Sequence, residues 1–136
     1  MKYPLASSTW DEKEINAMQE VIASGMFTMG EKVEEFEKNF AGYFGSKYSV
    51  MVNSGSSANL LAVASLFFRI KNRLQPGDEV IVPAVSWSTT FHPLQQYNLH
   101  LKFVDIDRQT LNYDLEALKK AVSDKTRMIV AVNLLG

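Results

Sequence analysis

A run of small polar residues at positions 53–59 could hold a phosphate group. The run follows a β-rich segment and precedes an apolar segment, which predicts a turn between a strand and a helix. The first N–H groups of a helix have no partner inside the helix and carry the positive end of its dipole. Gly55 permits close approach of the backbone, and Ser54, Ser56 and Ser57 offer hydroxyl donors, which suits a phosphate dianion. Serine is also a preferred N-cap, so an ordinary helix start would explain the same residues.

Several other kinds of site are excluded. No lysine follows Gly55 where a P-loop requires one, and the three spaced glycines of the dinucleotide fingerprint are missing. The chain has no cysteine, and His92 and His100 have no metal-ligand spacing around them. The formal net charge is −1, unlike the basic surface of a nucleic-acid-binding protein, so no nucleic-acid partner is expected.

Trp87 is the second candidate for a role in binding. It follows the strand predicted at residues 79–82, and ligands of open α/β sheets bind beyond the carboxyl ends of strands. An indole at that place could stack on a flat heterocycle. The alternative is a core tryptophan that covers the edge of the sheet, and Trp10 shares that interpretation.

Titratable side chains add a third candidate. Asp105 and Asp107 follow a predicted strand and could bind a metal or act as a base, although such residues more often cap turns. The ten lysines lie mainly on predicted helix surfaces or in turns, and none is marked as a buried amine for a Schiff base.

The spacing of apolar residues predicts an α/β chain. Helices are predicted at 10–24, 31–44, 58–70, 88–97 and 113–122, and strands at 48–52, 79–82, 101–104 and 128–132. Thr9 is the predicted N-cap of the first helix. Strands that alternate with helices imply a mostly parallel sheet with helices on both faces. A helical segment at residues 1–45 therefore precedes an α/β domain at residues 46–136.

The end of the chain predicts that this domain continues. Residues 134–136 directly follow the last predicted strand, whereas a complete sheet would normally carry a covering helix there. We therefore expect catalytic residues downstream of Gly136 and an inactive chain when it is isolated. The N-terminus lacks a signal-peptide pattern, and the longest apolar run is shorter than the roughly 20 residues that span a bilayer. A cytoplasmic protein without a membrane partner is expected.

Taken together, several segments resemble the DegT/StrS family of pyridoxal-phosphate sugar aminotransferases and dehydratases. The resemblance runs through essentially the whole chain and rests on the order and spacing of six motifs. They are PLA at 4–6, FTMG at 27–30, VNSGSSAN at 52–59, GDEVIVP at 77–83, FVDID at 103–107 and NYD at 112–114. The family implies the N-terminal portion of the aspartate-aminotransferase (type I) fold, with an incomplete sheet.

The resemblance also implies a cofactor, pyridoxal 5'-phosphate, and residues that bind it. Gly55, Ser56 and Ser57 match the turn that holds the cofactor phosphate in the family. Trp87 matches the aromatic residue that stacks on the pyridine ring. The acidic partner of the pyridine nitrogen, and the lysine or histidine that reacts, lie further along the chain in the family than Gly136.

Substrate contacts and assembly are implied in the same way. Phe27, Thr28 and Met29 lie in a segment that approaches the active site in the family, often that of the partner subunit. They are therefore expected to contact substrate. The family precedent for assembly is a homodimer with shared active sites.

Two segments resemble a smaller group of the family more closely. They are PAVSWSTT at 83–90 and VNLLG at 132–136, which are similar to sugar 3-dehydratases of deoxysugar and lipopolysaccharide synthesis. A 3-dehydratase acting on a nucleotide-linked 4-keto-6-deoxy sugar is therefore expected. A nucleotide-sugar aminotransferase is the alternative, because the residue that separates the two reactions lies beyond the chain. An inactive binding fragment is disfavoured, because an unfinished sheet exposes an edge strand.

Overall fold

The structure is a computed structural model that describes residues 7–133. The chain divides between Met51 and Val52 into two compact units, here called the helical unit and the sheet unit. The elements are α1 (Glu12–Ser24), α2 (Glu31–Phe44), α3 (Gly55–Phe67), β1 (Glu79–Pro83), α4 (Ser88–Gln96), β2 (His100–Val104), α5 (Leu115–Ala121) and β3 (Thr126–Ile129). Within residues 7–133, no helix combines the length and apolar character needed to cross a membrane. The motif at residues 4–6 and the last three residues of VNLLG lie outside the described residues.

Helix α1 begins two residues later than predicted. Its N-cap is Asp11, whose carboxylate accepts the N–H of Lys13 at 2.7 Å. The Glu14 carboxylate in turn accepts the N–H of Asp11 at 2.8 Å. The prediction of Thr9 as the cap was therefore wrong, because this reciprocal capping box satisfies the first free amides of the helix from Asp11.

Helix α2 has the predicted bounds, and its apolar side is partly open to solvent. Phe36, Phe40 and Phe44 stack along one side, with ring centroids 5.5 and 4.6 Å apart. They remain 47%, 45% and 62% exposed. Among the described residues of the helical unit, Ala41 is the one that is buried. The amphipathic pattern thus predicted the helix correctly but not a covered core.

The sheet unit contains three parallel strands in the order β2-β1-β3. All three overlap strands that the sequence predicts, and β1 lies between the other two. The predicted strand at residues 48–52 was wrong. The N–H of Met51 donates to the Glu37 carboxylate of α2 at 2.7 Å, rather than to a neighbouring strand. Local β propensity therefore had no partner strand with which to pair.

One face of the sheet carries α3 and α4. Val63 of α3 and Leu94 of α4 form a buried cluster with Val80 and Val82 of β1. Helix α3 begins three residues before its predicted start, because Ser54 caps it. This face contains the main apolar core of the sheet unit.

The opposite face carries α5. Side chains along a strand alternate between the two faces of the sheet. Leu101 of β2 packs on the core cluster, so the next residue, Lys102, points to the opposite face. Its ammonium group donates to the carbonyl of Ala121 at the end of α5, at 2.6 Å. The predicted α/β architecture with helices on both faces is therefore confirmed.

The burial of Ile81 gives a stability prediction. Ile81 is 0% exposed, whereas Ile129, its register partner on β3, is 44% exposed. We expect Ile81→Val to lower the free energy of unfolding by about 0.5–1.5 kcal/mol, because it removes a methylene group from packed surroundings. Ile129→Val is the matched control and should cost less. Urea unfolding of both variants measures the difference, and equal losses would contradict the inferred core.

Candidate functional site

The exit of β1 positions the first candidate residue. The N–H of Ala84 donates to the carbonyl of Val104 at 2.8 Å, which fastens this exit to β2. The hydroxyl groups of Ser86 and Thr90 lie 3.0 Å apart, and the N–H of Thr90 donates to the carbonyl of Trp87 at 2.9 Å. Trp87 therefore occupies the N-cap of α4, directly beyond the carboxyl end of the central strand.

The indole of Trp87 is open to solvent. Trp87 is 76% exposed, so it does not cover the core of the sheet unit. Trp10 in the helical unit is 66% exposed, and its interpretation as a core residue was also wrong. Tryptophan is a large residue that is usually well buried, so an exposed indole at a strand's carboxyl end is suited to stacking on a ligand.

The start of α3 combines a helix cap with open donors. Ser54 is the N-cap, and its hydroxyl oxygen accepts the N–H of Ser57 at 3.2 Å. The Ser54 hydroxyl also donates to that of Ser57 at 3.3 Å, which leaves the hydrogen of the Ser57 hydroxyl available to an anion. The N–H groups of Gly55 and Ser56 have no carbonyl one turn earlier to bind. Capping by Ser54 therefore leaves the N–H groups of Gly55 and Ser56 free for another acceptor.

Gly55 leaves the space beside this helix start empty. A Cβ atom built at Gly55 would meet nothing within 4 Å. The packing inside the chain therefore does not require glycine at this position. A group that approaches the free amides closely would give a reason for it.

The two candidate segments lie at the same edge of the sheet unit. After α3, the N–H of Leu74 donates to the carbonyl of Leu66 at 3.1 Å, so the last turn of α3 lies near the approach to β1. After α4, the N–H of Gly77 donates to the carbonyl of Asn98 at 2.7 Å, so α4 also ends near the amino end of β1. Because both helices end at the amino edge, both begin at the carboxyl edge. Trp87 and the start of α3 therefore face the same edge.

Phe27, Thr28 and Met29 line a cavity in the helical unit. The cavity has a volume of about 670 Å³ and is formed by the connector between α1 and α2 with parts of both helices. Phe27 and Met29 are 73% and 75% exposed. Exposed apolar side chains of this kind can contact another molecule.

Gly30 shapes this connector. A Cβ atom at Gly30 would lie 2.7 Å from Cγ of Met26, so a larger residue there would require the Met26 side chain to shift. The N–H of Met26 donates to the hydroxyl of Ser24 at 3.2 Å. The carbonyl of Gly30 accepts the N–H groups of Val33 and Glu34 at the start of α2. The connector is thus held at both ends.

Asp105 and Asp107 act as turn caps. The carboxylate of Asp107 accepts the N–H of Gln109 at 2.9 Å and of Thr110 at 2.8 Å. These bonds, first that from Thr110 and then that from Gln109, hold the pKa of Asp107 below its ordinary value. No group of three or more His, Asp or Glu residues that could hold a metal occurs within residues 7–133. The turn interpretation is therefore the one that the geometry supports.

Sequence reasoning missed Tyr113. Its phenol donates to the carbonyl of Val130 at 2.8 Å and lies 3.4 Å from that of Ile81. Burial raises the pKa of Tyr113 to about 12. The available signal was a tyrosine just before the helix cap Asp114. The carbonyl groups that its hydroxyl contacts are 17 and 32 positions away in the chain, so local pattern could not identify them.

Comparisons with known proteins place these features in a family. The model of the DegT/DnrJ/EryC1/StrS aminotransferase family matches residues 8–136. The chain is 67% identical over 136 residues to GDP-4-keto-6-deoxy-D-mannose 3-dehydratase from Yersinia pseudotuberculosis. That match covers 100% of this chain and 35% of the relative, so the chain spans about a third of the relative's length.

Solved structures also match nearly the whole of this chain. The Escherichia coli GDP-4-keto-6-deoxy-D-mannose-3-dehydratase with bound hydrated PLP superposes with a TM-score of 0.94 at 65% identity, over 99% of this chain and 35% of that one. The sugar aminotransferase Spr1654 from Streptococcus pneumoniae, in its PMP form, gives a TM-score of 0.84 at 29% identity. That match covers 98% of this chain and 32% of the aminotransferase.

The turn at Asp107 gives a pH prediction. Because folding lowers the pKa of this carboxyl, the unfolded chain binds a proton at higher pH than the folded chain does. Wild type should therefore be more stable than Asp107→Ala at neutral pH, and the difference should vanish as pH falls through the folded pKa. Urea midpoints from neutral pH down to about pH 2 measure this. Asp124→Ala, at an exposed aspartate without a hydrogen bond among the described residues, is the control; an equal pH dependence there would contradict the prediction.

Proposed function

The chain belongs to the DegT/DnrJ/EryC1/StrS aminotransferase family, and we propose that it is the N-terminal part of a pyridoxal-phosphate-dependent sugar 3-dehydratase. The proposed substrate is a GDP-linked 4-keto-6-deoxy sugar, and the proposed setting is deoxysugar synthesis for lipopolysaccharide. The observation that carries the proposal is the 67% identity, along the whole chain, to a GDP-4-keto-6-deoxy-D-mannose 3-dehydratase.

The start of α3 fits the phosphate of the cofactor. The amides of Gly55 and Ser56 lie at the positive end of the α3 dipole, and the Ser56 and Ser57 hydroxyls add donors. The space beside Gly55 is open, so a phosphate could approach the backbone closely. We propose that these three residues bind the phosphate.

Trp87 fits the ring of the cofactor. Its exposed indole lies at the same edge of the sheet unit as the start of α3, so one ligand with a phosphate and a flat ring could use both. The proposed role of Trp87 is to fix the plane of that ring and to exclude water from one side of it. When bound, pyridoxal phosphate supplies the electron sink for the bond that is broken on the substrate.

Phe27, Thr28 and Met29 are the proposed substrate contacts of this chain. Phe27 and Met29 offer exposed apolar surface, and Thr28 places a hydroxyl between them. Apolar surface with few polar groups is typical of small-molecule sites.

The proposed whole protein is a cytoplasmic homodimer. The family resemblance supports this assembly, since the family precedent is a homodimer with shared active sites.

A nucleotide-sugar aminotransferase is the second candidate. The observation in its favour is the TM-score of 0.84 to a Streptococcus pneumoniae sugar aminotransferase. The whole protein that contains this chain separates the two when it is given a GDP-linked 4-keto-6-deoxy sugar, pyridoxal phosphate and an amino donor. A product that has lost the C3 oxygen supports the dehydratase, and an amino sugar that keeps this oxygen overturns it. If the whole protein shows neither activity, the result favours the alternative that this chain is an inactive binding fragment.

The role of Trp87 gives a binding prediction. We expect Trp87→Ala to weaken the binding of pyridoxamine 5'-phosphate roughly three- to tenfold, because loss of an aromatic contact costs about 0.5–1.5 kcal/mol. Titration of the whole protein that contains this chain, freed of bound cofactor, measures this by calorimetry. The amine form is the probe because the aldehyde of pyridoxal phosphate would react with exposed lysines.

Trp10→Ala is the matched control for this measurement. Trp10 is also an exposed tryptophan, but it lies in the helical unit. Its removal should leave the affinity for the probe unchanged. Equal affinities of Trp87→Ala and wild type would rule out the stacking role.

A further inference from the structure

The phenol of Tyr113 contacts the central strand β1 and the exit of β3 at once. Its hydroxyl donates to the carbonyl of Val130 at 2.8 Å and lies 3.4 Å from the carbonyl of Ile81. The N–H of Val130 also donates to the carbonyl of Ile81, at 2.9 Å. One side chain therefore ties Ile81, in the middle of β1, to Val130, the first residue beyond β3.

The backbone around Tyr113 is held on both sides. Tyr113 pairs with Ile106 in an antiparallel bridge. The N–H of Asp114 donates to the carbonyl of Asp105 at 3.1 Å, and the carboxylate of Asp114 caps α5. The phenol is thus mounted on a supported turn, which lowers the entropy lost when its hydroxyl binds.

The segment that follows β3 is the part of the chain that this contact orients. Residues 131–133 leave the sheet at its carboxyl edge and form one wall of a cavity of about 550 Å³. Tyr113 lies in the lining of the same cavity. The exit of β1 leads, six residues after Ile81, to Trp87. The two exits therefore border the edge that carries the proposed cofactor site.

We propose that Tyr113 is a positioning residue for this site, because its hydroxyl fixes the exit of β3 against β1, the strand that leads to Trp87. The inference rests on the proposed function, since the site in question is the proposed cofactor site. Tyr113 does not touch the ligand; it acts through the backbone carbonyls of Ile81 and Val130. The phenol is a donor at neutral pH in any case, because the ordinary pKa of tyrosine is about 10, and burial raises the pKa of Tyr113 to about 12.

The test is Tyr113→Phe, which keeps the ring and removes the hydroxyl. Tyr97→Phe is the matched control, because Tyr97 is also half-buried, packs on Phe67 at 4.8 Å between ring centroids, and has no hydroxyl bond among the described residues. Both changes are made in the whole protein that contains this chain, freed of bound cofactor, and calorimetry reports the binding of the probe. Pyridoxamine 5'-phosphate is the probe, and circular dichroism selects conditions in which every variant is folded.

Two measurements are made on each variant. Hydrogen exchange should become faster at residues 130–133 in Tyr113→Phe, because these amides lose the fastening of the β3 exit. The affinity for the probe should fall roughly threefold to tenfold, the change expected for one hydrogen bond. Neither quantity should change in Tyr97→Phe.

The outcomes separate this inference from the proposed function. Faster exchange together with weaker binding in Tyr113→Phe alone supports the positioning role. Faster exchange with unchanged binding overturns it, because the hydroxyl then serves stability only. Unchanged exchange, or equal loss of affinity in Tyr97→Phe, overturns it as well. If the whole protein with its native Tyr113 does not bind the probe, the proposed cofactor site fails, and the positioning role fails with it.

Discussion

The parallel pairing of β1 with both of its neighbours is the constraint on which the sheet unit depends. Val80, Ile81 and Val82 are each 0% exposed, so the strand presents apolar side chains to both faces and can pair with a strand on either side. Burial of this kind stabilises by roughly 1.5–3 kcal/mol for each side chain. Helices α3 and α4 pack on the same strand, whose exit leads to Trp87, whereas α5 is fastened to β2 through Lys102.

Polar contacts fasten the two ends of this sheet. At the amino edge, the Glu79 carboxylate accepts the hydroxyl of Thr126 at 2.7 Å and lies 3.7 Å from the ammonium of Lys102. The bond from Thr126, and then the charge of Lys102, act against desolvation and lower the pKa of Glu79. These residues come from all three strands, and they lie where the register of β3 is irregular. At the carboxyl edge, the Tyr113 phenol joins β1 to the exit of β3.

The two interpretations of the turn before α3 are compatible. Ser54 caps the helix and takes the N–H of Ser57, while the amides of Gly55 and Ser56 stay open at the helix start. Sequence reasoning treated capping and phosphate binding as alternatives because both favour serine. The structure divides the two tasks among different atoms. The exposed indole of Trp87 at the same edge then favours a ligand with both a phosphate and a ring.

The sequence by itself determined what depends on neighbours close in the chain. The bounds of α2 and the position of β1 follow from apolar spacing and from glycine stops. The order of the motifs along the chain indicates the family. The tertiary structure decided the rest. A tryptophan can lie in a core or in a ligand site, so the sequence left both interpretations of Trp87 open. Only the fold showed that its side chain is exposed. Residues 48–52 have β propensity, but a strand needs a partner, and Tyr113 finds carbonyls 17 and 32 positions away. Capping and periodicity act over a few residues, whereas pairing and burial depend on which distant segments the fold brings together.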